Sequence, residues 1–192
     1  KFQLTYFGRD SENLLQLMSR NFFFFYTNAA KAKVNGLEIQ ADMSWKKWDV
    51  NLHATYTKPK DVFYDMTKLP GYDSNTIAGS LTYQPQWEGT ARLTYRPDTN
   101  WSLFTQLRYV DWMVTDPIPL TTGAVKRQSS LTTMDVGVKY KFNKSLQLAV
   151  GCNDVLNKAN DMYLNMYGNG EIRNIQYPIQ GRTYYATLQY TY

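Results

Sequence analysis

The segment GLEIQADMSWKKWDVNLHATYT, residues 36–57, contains two stretches in which apolar and polar residues alternate strictly. The apolar side chains of the two stretches are Leu37, Ile39, Ala41, Met43 and Trp45, then Trp48, Val50, Leu52, Ala54 and Tyr56. Because successive side chains of a strand point to opposite faces, each stretch predicts a β-strand with one apolar and one polar face. The two lysines between them predict a tight turn, so the whole segment predicts an antiparallel hairpin.

The same alternation recurs in six other stretches of the chain. They are residues 2–6, 88–97, 101–110, 134–142, 146–153 and 183–192. In the third of these, Phe104 is an exception, because it falls on the polar side of the alternation. The sequence therefore predicts about eight strands, most of them near the roughly 9 to 11 residues with which a tilted strand crosses a bilayer.

The predicted connections between these strands alternate between short and long. Short turns are expected at Lys46 and Lys47, at residues 97–100 and at residues 143–145. Long polar loops are expected at residues 9–30, 58–87, 116–130 and 156–181. Loops of this length are uncommon in compact soluble domains, whereas short turns at one rim and long loops at the other are typical of outer-membrane barrels.

Charged residues within the predicted strands all fall on the face opposite the aliphatic one. They are Glu38, Asp42, Asp49, Arg92, Arg108, Asp135, Lys139 and Lys141. A cationic side chain facing lipid at the bilayer midplane costs about 2 to 4 kcal/mol, so this sorting is what a membrane-spanning wall requires. We therefore predict an all-β fold, a transmembrane antiparallel up-and-down β-barrel.

Aromatic residues cluster near the predicted short turns, in a chain that contains 16 Tyr, 9 Phe and 5 Trp. The cluster consists of Trp45, Trp48, Tyr95, Trp101, Phe142 and Tyr192. Amphipathic rings of this kind form the girdle of a barrel at the level of the lipid headgroups. The short-turn rim is therefore predicted to lie at a membrane interface.

The composition argues against several other functions. His53 is the single histidine and Cys152 the single cysteine, which argues against an internal disulfide, thiolate metal sites and most histidine-based catalysis. The 21 Lys and Arg residues are scattered, and no phosphate-binding loop or nucleophile motif is present. We expect no enzyme activity, no cofactor, no metal and no nucleic-acid partner, and we expect Cys152 to be a small lipid-facing residue.

Three stretches carry a resemblance to a known family: YTNAAKAKVNGLEIQADMSW (residues 26–45), VGCNDVLNKAND (150–161) and YPIQGRTYYATLQYTY (177–192). In order and spacing they resemble the C-terminal third of TonB-dependent outer-membrane receptors. That family commonly ends in Phe, and Tyr192 keeps an aromatic residue at this place.

The resemblance implies that residues 1–192 are a single barrel segment, about eight of the family's 22 strands, without the plug domain. Such receptors import ferric siderophores, haem or cobalamin across the bacterial outer membrane. The implied partners are the plug and N-terminal strands, TonB, the lipid bilayer with its lipopolysaccharide, and the barrel-assembly machinery, which would read Tyr190 and Tyr192.

Candidate ligand-binding residues are rings in the long connections and cations on the polar face. The rings are those of residues 22–26, which include Tyr26, and of Tyr64, Tyr72, Trp112, Tyr163, Tyr167 and Tyr177. The cations are Arg92 and Arg108, in a strip with Arg96, Lys139 and Lys141. Rings stack on aromatic ligands and cations pair with anionic chelates. Alternatively, the rings pack loops together and the cations pair with Asp42, Asp49, Asp135 or the plug.

Two other architectures fit the same pattern. Eight strands can close into a small barrel of the OmpA type, which would be a structural or adhesion protein. A soluble antiparallel sandwich would also use strands with one apolar face.

Overall fold

The computed structural model describes residues 1–20, 23–65, 76–78, 81–114, 127–158, 163–168, 171–176 and 180–192. Thirteen strands lie in these ranges: β1 (Phe2–Arg20), β2 (Phe23–Trp45), β3 (Trp48–Asp65), β4 (Thr76–Ala78), β5 (Trp87–Tyr95), β6 (Trp101–Val110), β7 (Met113–Val114), β8 (Arg127–Gln128), β9 (Leu131–Lys141), β10 (Leu146–Asn153), β11 (Tyr163–Gly168), β12 (Glu171–Gln176) and β13 (Thr183–Tyr190). Within the described ranges, no helix is long and apolar enough to cross a membrane.

Eight of these strands form one antiparallel wall in the order β1-β2-β3-β5-β6-β9-β10-β13, and β4 pairs with β3 beside it. Each of the eight corresponds to one predicted strand, so the predicted all-β antiparallel fold is confirmed. The wall is open, because among the described strands β1 pairs only with β2 and β13 only with β10. The chain is therefore a segment of a larger barrel, and the closed eight-stranded barrel is wrong for it.

The register of the wall places the predicted apolar residues on one face. Met43, Val50, Leu93 and Val136 lie on this face in one row that crosses five strands, with Thr105 between Leu93 and Val136. The face is exposed: Met43 is 52% accessible, and Leu188, farther along the wall, is 67% accessible. A soluble sandwich would cover these side chains with a second sheet. We call this the outer face and the polar one the inner face.

The short turns form as predicted. Trp45 pairs with Trp48 across the two lysines, and Lys46 adopts a positive φ of 53°. In the other two turns one side-chain oxygen caps two amides. Asp98 Oδ1 accepts hydrogen bonds from the backbone N–H groups of Asn100 and Trp101. Asn143 Oδ1 accepts hydrogen bonds from the backbone N–H groups of Ser145 and Leu146. These Asx-type turns explain the Asp and Asn at these positions.

The prediction of long loops at residues 9–30 and 58–87 was wrong for their strand-proximal parts. β1 continues to Arg20, β2 begins at Phe23 and β3 continues to Asp65, so the wall extends well beyond the predicted strands. Short strands also arise within or just before the other two predicted loops, where β12-β11-β8-β7 form a second sheet. The prediction took the polar composition of these segments as a sign of loops. The polar residues instead reflect exposure of the outer side of these strands to water.

The two faces of the extended wall exchange polarity at a defined level. The last apolar row of the outer face contains Tyr6, Leu37, Tyr56 and Trp87, and the next two rows contain Gly8, Asn35 and Lys58, then Asp10, Lys33 and Lys60. On the inner side the opposite occurs, since Ala32, Val34 and Val62 are buried at 3%, 8% and 7% exposure. This exchange marks the end of the apolar band on the outer face.

Candidate functional site

The inner face carries a polar row that crosses five strands of the wall. Directly opposed residues in this row are Asp42, Asn51, Arg92, Gln106 and Asp135. Asn51 Nδ2 donates to Asp42 at 2.8 Å, and Arg92 Nη1 donates to Gln106 at 3.2 Å. The sorting of charges is thus confirmed, because these groups face the inner side and bond to one another.

Arg108 is part of an ion pair on this face. Its Nη2 lies 2.6 Å from Asp135 Oδ2, and the Asp135 side chain, which is 7% exposed, also accepts a hydrogen bond from the Asp154 amide at 2.9 Å. Arg96 pairs in the same way with Asp49. The alternative interpretation of these two cations, pairing with wall carboxylates, is therefore confirmed.

Arg92 differs from Arg96 and Arg108, because no carboxylate pairs with it among the described residues. Its guanidinium lies over the ring of Phe104, 4.0 Å from the centroid, and its Nη1 donates a hydrogen bond to the neutral amide of Gln106. A cation over an aromatic face keeps its full charge. Arg92 is therefore the cation of this row whose charge remains available on the inner face.

Three aromatic rings on the inner face lie over glycines, and none was a candidate from the sequence. Phe7 pairs with Gly36, Phe104 with Gly137, and Tyr185 with Gly151. A Cβ atom at Gly36 would overlap the ring of Phe7, one at Gly137 would overlap the ring of Phe104 and the hydroxyl of Tyr185, and one at Gly151 would overlap Tyr185. A glycine at an inner-face position, opposite an aromatic on the next strand, is the signal that could have found them.

Three cavities lie along the inner face. One of about 440 Å³ is lined in part by Ala32 and Val34. A second, of about 400 Å³, is lined in part by Asp42, His53 and Arg92, and a third, of about 380 Å³, is lined in part by Arg108 and Asp135. Within the described ranges, no group of three or more His, Cys, Asp or Glu side chains could hold a metal ion. The inner face can therefore bind polar partners through hydrogen bonds and through Arg92.

The aromatic candidates from the long connections are not brought together in the described residues. Tyr26 is 69% exposed on β2, and Trp112 lies under the guanidinium of Arg127, 4.2 Å from it, as expected for a ring that packs locally. For Tyr64, Tyr163 and Tyr167 the strand backbone is described and the side chains are not. Tyr72 and Tyr177 lie outside the described residues. The ligand-binding role of these rings stays a prediction.

Aromatic pairs form two levels on the outer face. Near the short turns, the ring centroids of Trp48 and Tyr95 are 4.3 Å apart and those of Trp101 and Tyr140 are 4.5 Å apart, so this level contains Trp48, Tyr95 and Trp101 of the predicted girdle. The second level, which the sequence did not predict, contains Tyr56 and Trp87, 4.7 Å apart. Eight residues of strand separate the levels, about 26 Å at 3.3 Å per residue. After allowance for tilt, this approaches the height of roughly 25 Å of an outer-membrane barrel's apolar band.

Cys152 lies on the outer face, opposite Val136 and Tyr184, as expected. It is only 7% exposed, so its neighbours cover it. The prediction that it faces lipid directly was therefore wrong, because a small side chain between larger ones does not reach the surface of the wall.

Comparison with known proteins gives a consistent result. The sequence profile of the family described as "TonB dependent receptor-like, beta-barrel" matches residues 1–155. No curated protein sequence matches the chain significantly.

Solved structures share the fold at low sequence identity. The siderophore receptor PiuA from Acinetobacter baumannii has a TM-score of 0.66 and 18% identity over 100% of this chain and 26% of its own. The ferric enterobactin receptor PfeA (G324V mutant) from Pseudomonas aeruginosa has a TM-score of 0.66 and 20% identity over 100% of this chain and 29% of its own. The copper transporter OprC has a TM-score of 0.66 and 15% identity over 100% of this chain and 29% of its own.

The chain thus spans between a quarter and a third of the length of these structures. The profile match covers most of the chain, and the open wall with its polar inner face agrees with it. The chain belongs to the TonB-dependent receptor-like β-barrel family.

Proposed function

We propose that the protein containing this chain imports a scarce nutrient, a ferric siderophore, across the bacterial outer membrane. The similar structures are a siderophore receptor, a ferric enterobactin receptor and a copper transporter. Of the nutrient classes implied by the sequence, haem and cobalamin therefore have less support than ferric siderophores. In this proposal the chain forms part of the barrel wall and acts as a receptor without enzyme activity.

The observation that carries the proposal is the uncompensated charge of Arg92 on the inner face. Arg92 is held by Phe104 and Gln106, beside a polar cavity, and it lies in a row of hydrogen-bonding groups. A positive group in a polar lumen attracts anionic ferric chelates. Arg108 contributes less, because Asp135 neutralises it. We retain Tyr26, Tyr64, Tyr72, Trp112, Tyr163 and Tyr167 as proposed ligand contacts in the long connections.

The open edges of the wall support further partners. An unpaired backbone edge in hydrocarbon costs several kcal/mol for each unsatisfied group, so the free edges of β1 and β13 require further strands in a membrane. We propose that the remaining strands and a plug domain complete the receptor, and that TonB energises it. Tyr190 and Tyr192, 67% and 106% exposed, are available to the barrel-assembly machinery.

The test is uptake of radioactive iron by cells that produce the full-length receptor as the sole candidate importer. A panel of ferric siderophores is offered to these cells, to cells lacking the receptor, and to cells lacking TonB. We expect at least one complex to enter only when both receptor and TonB are present. Identical uptake of every complex with and without the receptor would contradict the proposal.

Arg92→Gln provides the residue-level test, with Lys47→Gln as a control that removes one charge at the short-turn rim. We expect Arg92→Gln to raise the half-saturating concentration of the imported complex several-fold at equal receptor abundance. The control is expected to leave it unchanged. Equal uptake curves for both variants would remove Arg92 from the proposed path.

A further inference from the structure

A cavity of about 440 Å³ lies on the inner side of the extended wall, beyond the row of Tyr6 and Leu37. It rests on β1 and β2, where the directly opposed residues are Phe7 and Gly36, Arg9 and Val34, and Ser11 and Ala32. A Cβ atom at Gly36 would overlap Phe7, so the absence of a side chain there makes room for this ring. We call this space the upper cavity.

A distant segment of the chain, residues 81–84, forms another side of the upper cavity. The side chains that it contributes are Leu81, Thr82 and Gln84. Two backbone hydrogen bonds hold this part of the chain in place: the Tyr83 amide donates to the Val114 carbonyl at 2.9 Å, and the Thr57 amide donates to the Gln86 carbonyl at 2.8 Å. Tyr83 also has a positive φ of 55°, a conformation that persists in a residue other than glycine only where its surroundings hold it. The upper cavity is therefore enclosed by fixed backbone from separate parts of the chain.

The side chains that line the upper cavity are mainly apolar and carry one charge. The apolar ones are Phe7, Leu14, Leu15, Ala32, Val34 and Leu81. Of the other four lining residues, Ser11, Thr82 and Gln84 are neutral and Arg9 is a cation. A cavity of this size, mainly apolar and with a few polar groups, is typical of a small-molecule site.

The charge of Arg9 is not balanced by a carboxylate in the part of the chain that the structure describes. Its Nε donates to Ser11 Oγ at 2.8 Å, which is a neutral acceptor. The neighbouring acids, Asp10 and Glu12, pair with lysines of β2 instead. A guanidinium also carries terminal N–H groups, which bind a carboxylate through two parallel hydrogen bonds. Arg9 therefore supplies an anion-binding group at an otherwise uncharged cavity.

The upper cavity is distant from the polar row that contains Arg92. That row reaches β1 at its start, because Asp42 is one residue beyond Ala41, the partner of Phe2. Arg9 lies seven residues after Phe2, which is about 23 Å along the strand. The two cations therefore belong to separate sites.

We propose that the upper cavity binds an apolar group with one negative charge, an aromatic ring or short hydrocarbon chain that carries a carboxylate. The apolar part lies against Phe7, Val34 and Leu81, and the carboxylate accepts hydrogen bonds from Arg9. This inference deepens the proposed function and rests on it for the source of the group, which is one arm of the imported ferric complex. Complexes with such an arm are then preferred over complexes without one.

The first test measures binding of naphthalene-2-carboxylate, a water-soluble apolar anion, to the purified full-length receptor by titration calorimetry. Arg9→Gln is compared with Arg182→Gln, which removes the same charge from an exposed arginine just before β13. We expect Arg9→Gln to weaken binding about tenfold, because hydrogen bonds to a charged group are lost, and Arg182→Gln to bind like the parent. Arg9→Lys, which keeps the charge, is expected to recover part of the loss.

The second test fills the upper cavity. Ala32→Leu places a larger side chain in it, whereas Ala41→Leu makes the same change on the outer face of the same strand. We expect Ala32→Leu to weaken binding of naphthalene-2-carboxylate at least tenfold and Ala41→Leu to leave it unchanged. Heat-modifiable migration on gels verifies that each variant is folded, and the Arg9 variants test the site independently of any packing change.

Further arms test the charge and the source of the ligand. Naphthalene-2-methanol, which lacks the charge, is expected to bind the parent as weakly as the carboxylate binds Arg9→Gln. The carboxylate is expected to inhibit uptake of the imported ferric complex by the parent and not by Ala32→Leu. Equal binding of the carboxylate to the parent, Arg9→Gln and Ala32→Leu, equal binding of the alcohol, or uptake that the carboxylate does not inhibit would overturn the inference. A receptor that binds the carboxylate as expected but imports no ferric complex would contradict the proposed function alone.

Discussion

Arg108 on β6 and Asp135 on β9 join neighbouring strands through an ion pair of 2.6 Å on the inner face. The carboxylate is 7% exposed and the guanidinium 56% exposed. Truncation of Arg108 leaves the Asp135 carboxylate buried, with the Asp154 amide as its hydrogen-bond donor among the described residues. Because Arg108 is half exposed, we expect Arg108→Met to destabilise the folded receptor by about 1 to 3 kcal/mol, measured by urea unfolding in lipid vesicles.

Arg96→Met is the matched control for this pair. Asp49, the partner of Arg96, is 23% exposed and so remains better hydrated when its partner is removed. The loss is expected to be smaller, under about 1 kcal/mol. An Arg96→Met loss as large as that of Arg108→Met would contradict the role assigned to burial of Asp135.

Gly137 provides space for two rings. We expect Gly137→Ala to destabilise the wall by about 1 to 3 kcal/mol, because its Cβ atom would overlap Phe104 and Tyr185. Gly8→Ala is the control, since a Cβ there meets only the side chain of Asn35 at 3.3 Å. Urea unfolding again supplies the measurement. If Phe104→Leu does not reduce the loss caused by Gly137→Ala, the proposed overlap is not its cause.

Much of the wall could be predicted because each strand has one apolar and one polar face, and this difference produces the alternation of apolar and polar residues in the sequence. Residues 36–57 pair as predicted. Phe104, the exception to the predicted alternation, pairs with Gly137. The extensions of β1 to β3 were missed because the apolar positions change face beyond Leu37, so that Val34 is on the inner side. Partners across strands, such as Asp135 for Arg108, depend on register, which one sequence does not specify.

Thr105 takes the outer-face position that Phe104 leaves. It lies between Leu93 and Val136, and its buried hydroxyl has no hydrogen-bond partner among the described residues. An unpaired buried hydroxyl costs about 1 to 3 kcal/mol. We therefore expect Thr105→Val, which keeps the shape, to raise the free energy of unfolding by up to about 1 kcal/mol. A decrease would show that the hydroxyl is hydrogen-bonded in the folded protein.

The two aromatic levels predict the depth of the wall in the bilayer. Single-tryptophan variants that keep Trp48 or Trp87 are expected to be quenched most by lipids brominated close to the headgroup. A variant with Leu52→Trp as its single tryptophan is expected to be quenched most by deep bromines, because residue 52 is midway between residues 48 and 56. Deep quenching of Trp87 would contradict the proposed upper boundary at the level of Tyr56 and Trp87.

The central claim is that the outer face of this wall contacts lipid and the inner face contacts water or protein. The direct measurement is the accessibility of spin labels, placed one at a time at residues 51, 52, 106 and 107 of the full-length receptor after Cys152→Ala. We predict that labels replacing Leu52 and Leu107 collide mainly with lipid-dissolved oxygen, and that labels replacing Asn51 and Gln106 do not. The reverse pattern, or equal oxygen accessibility at all four residues, would contradict the account.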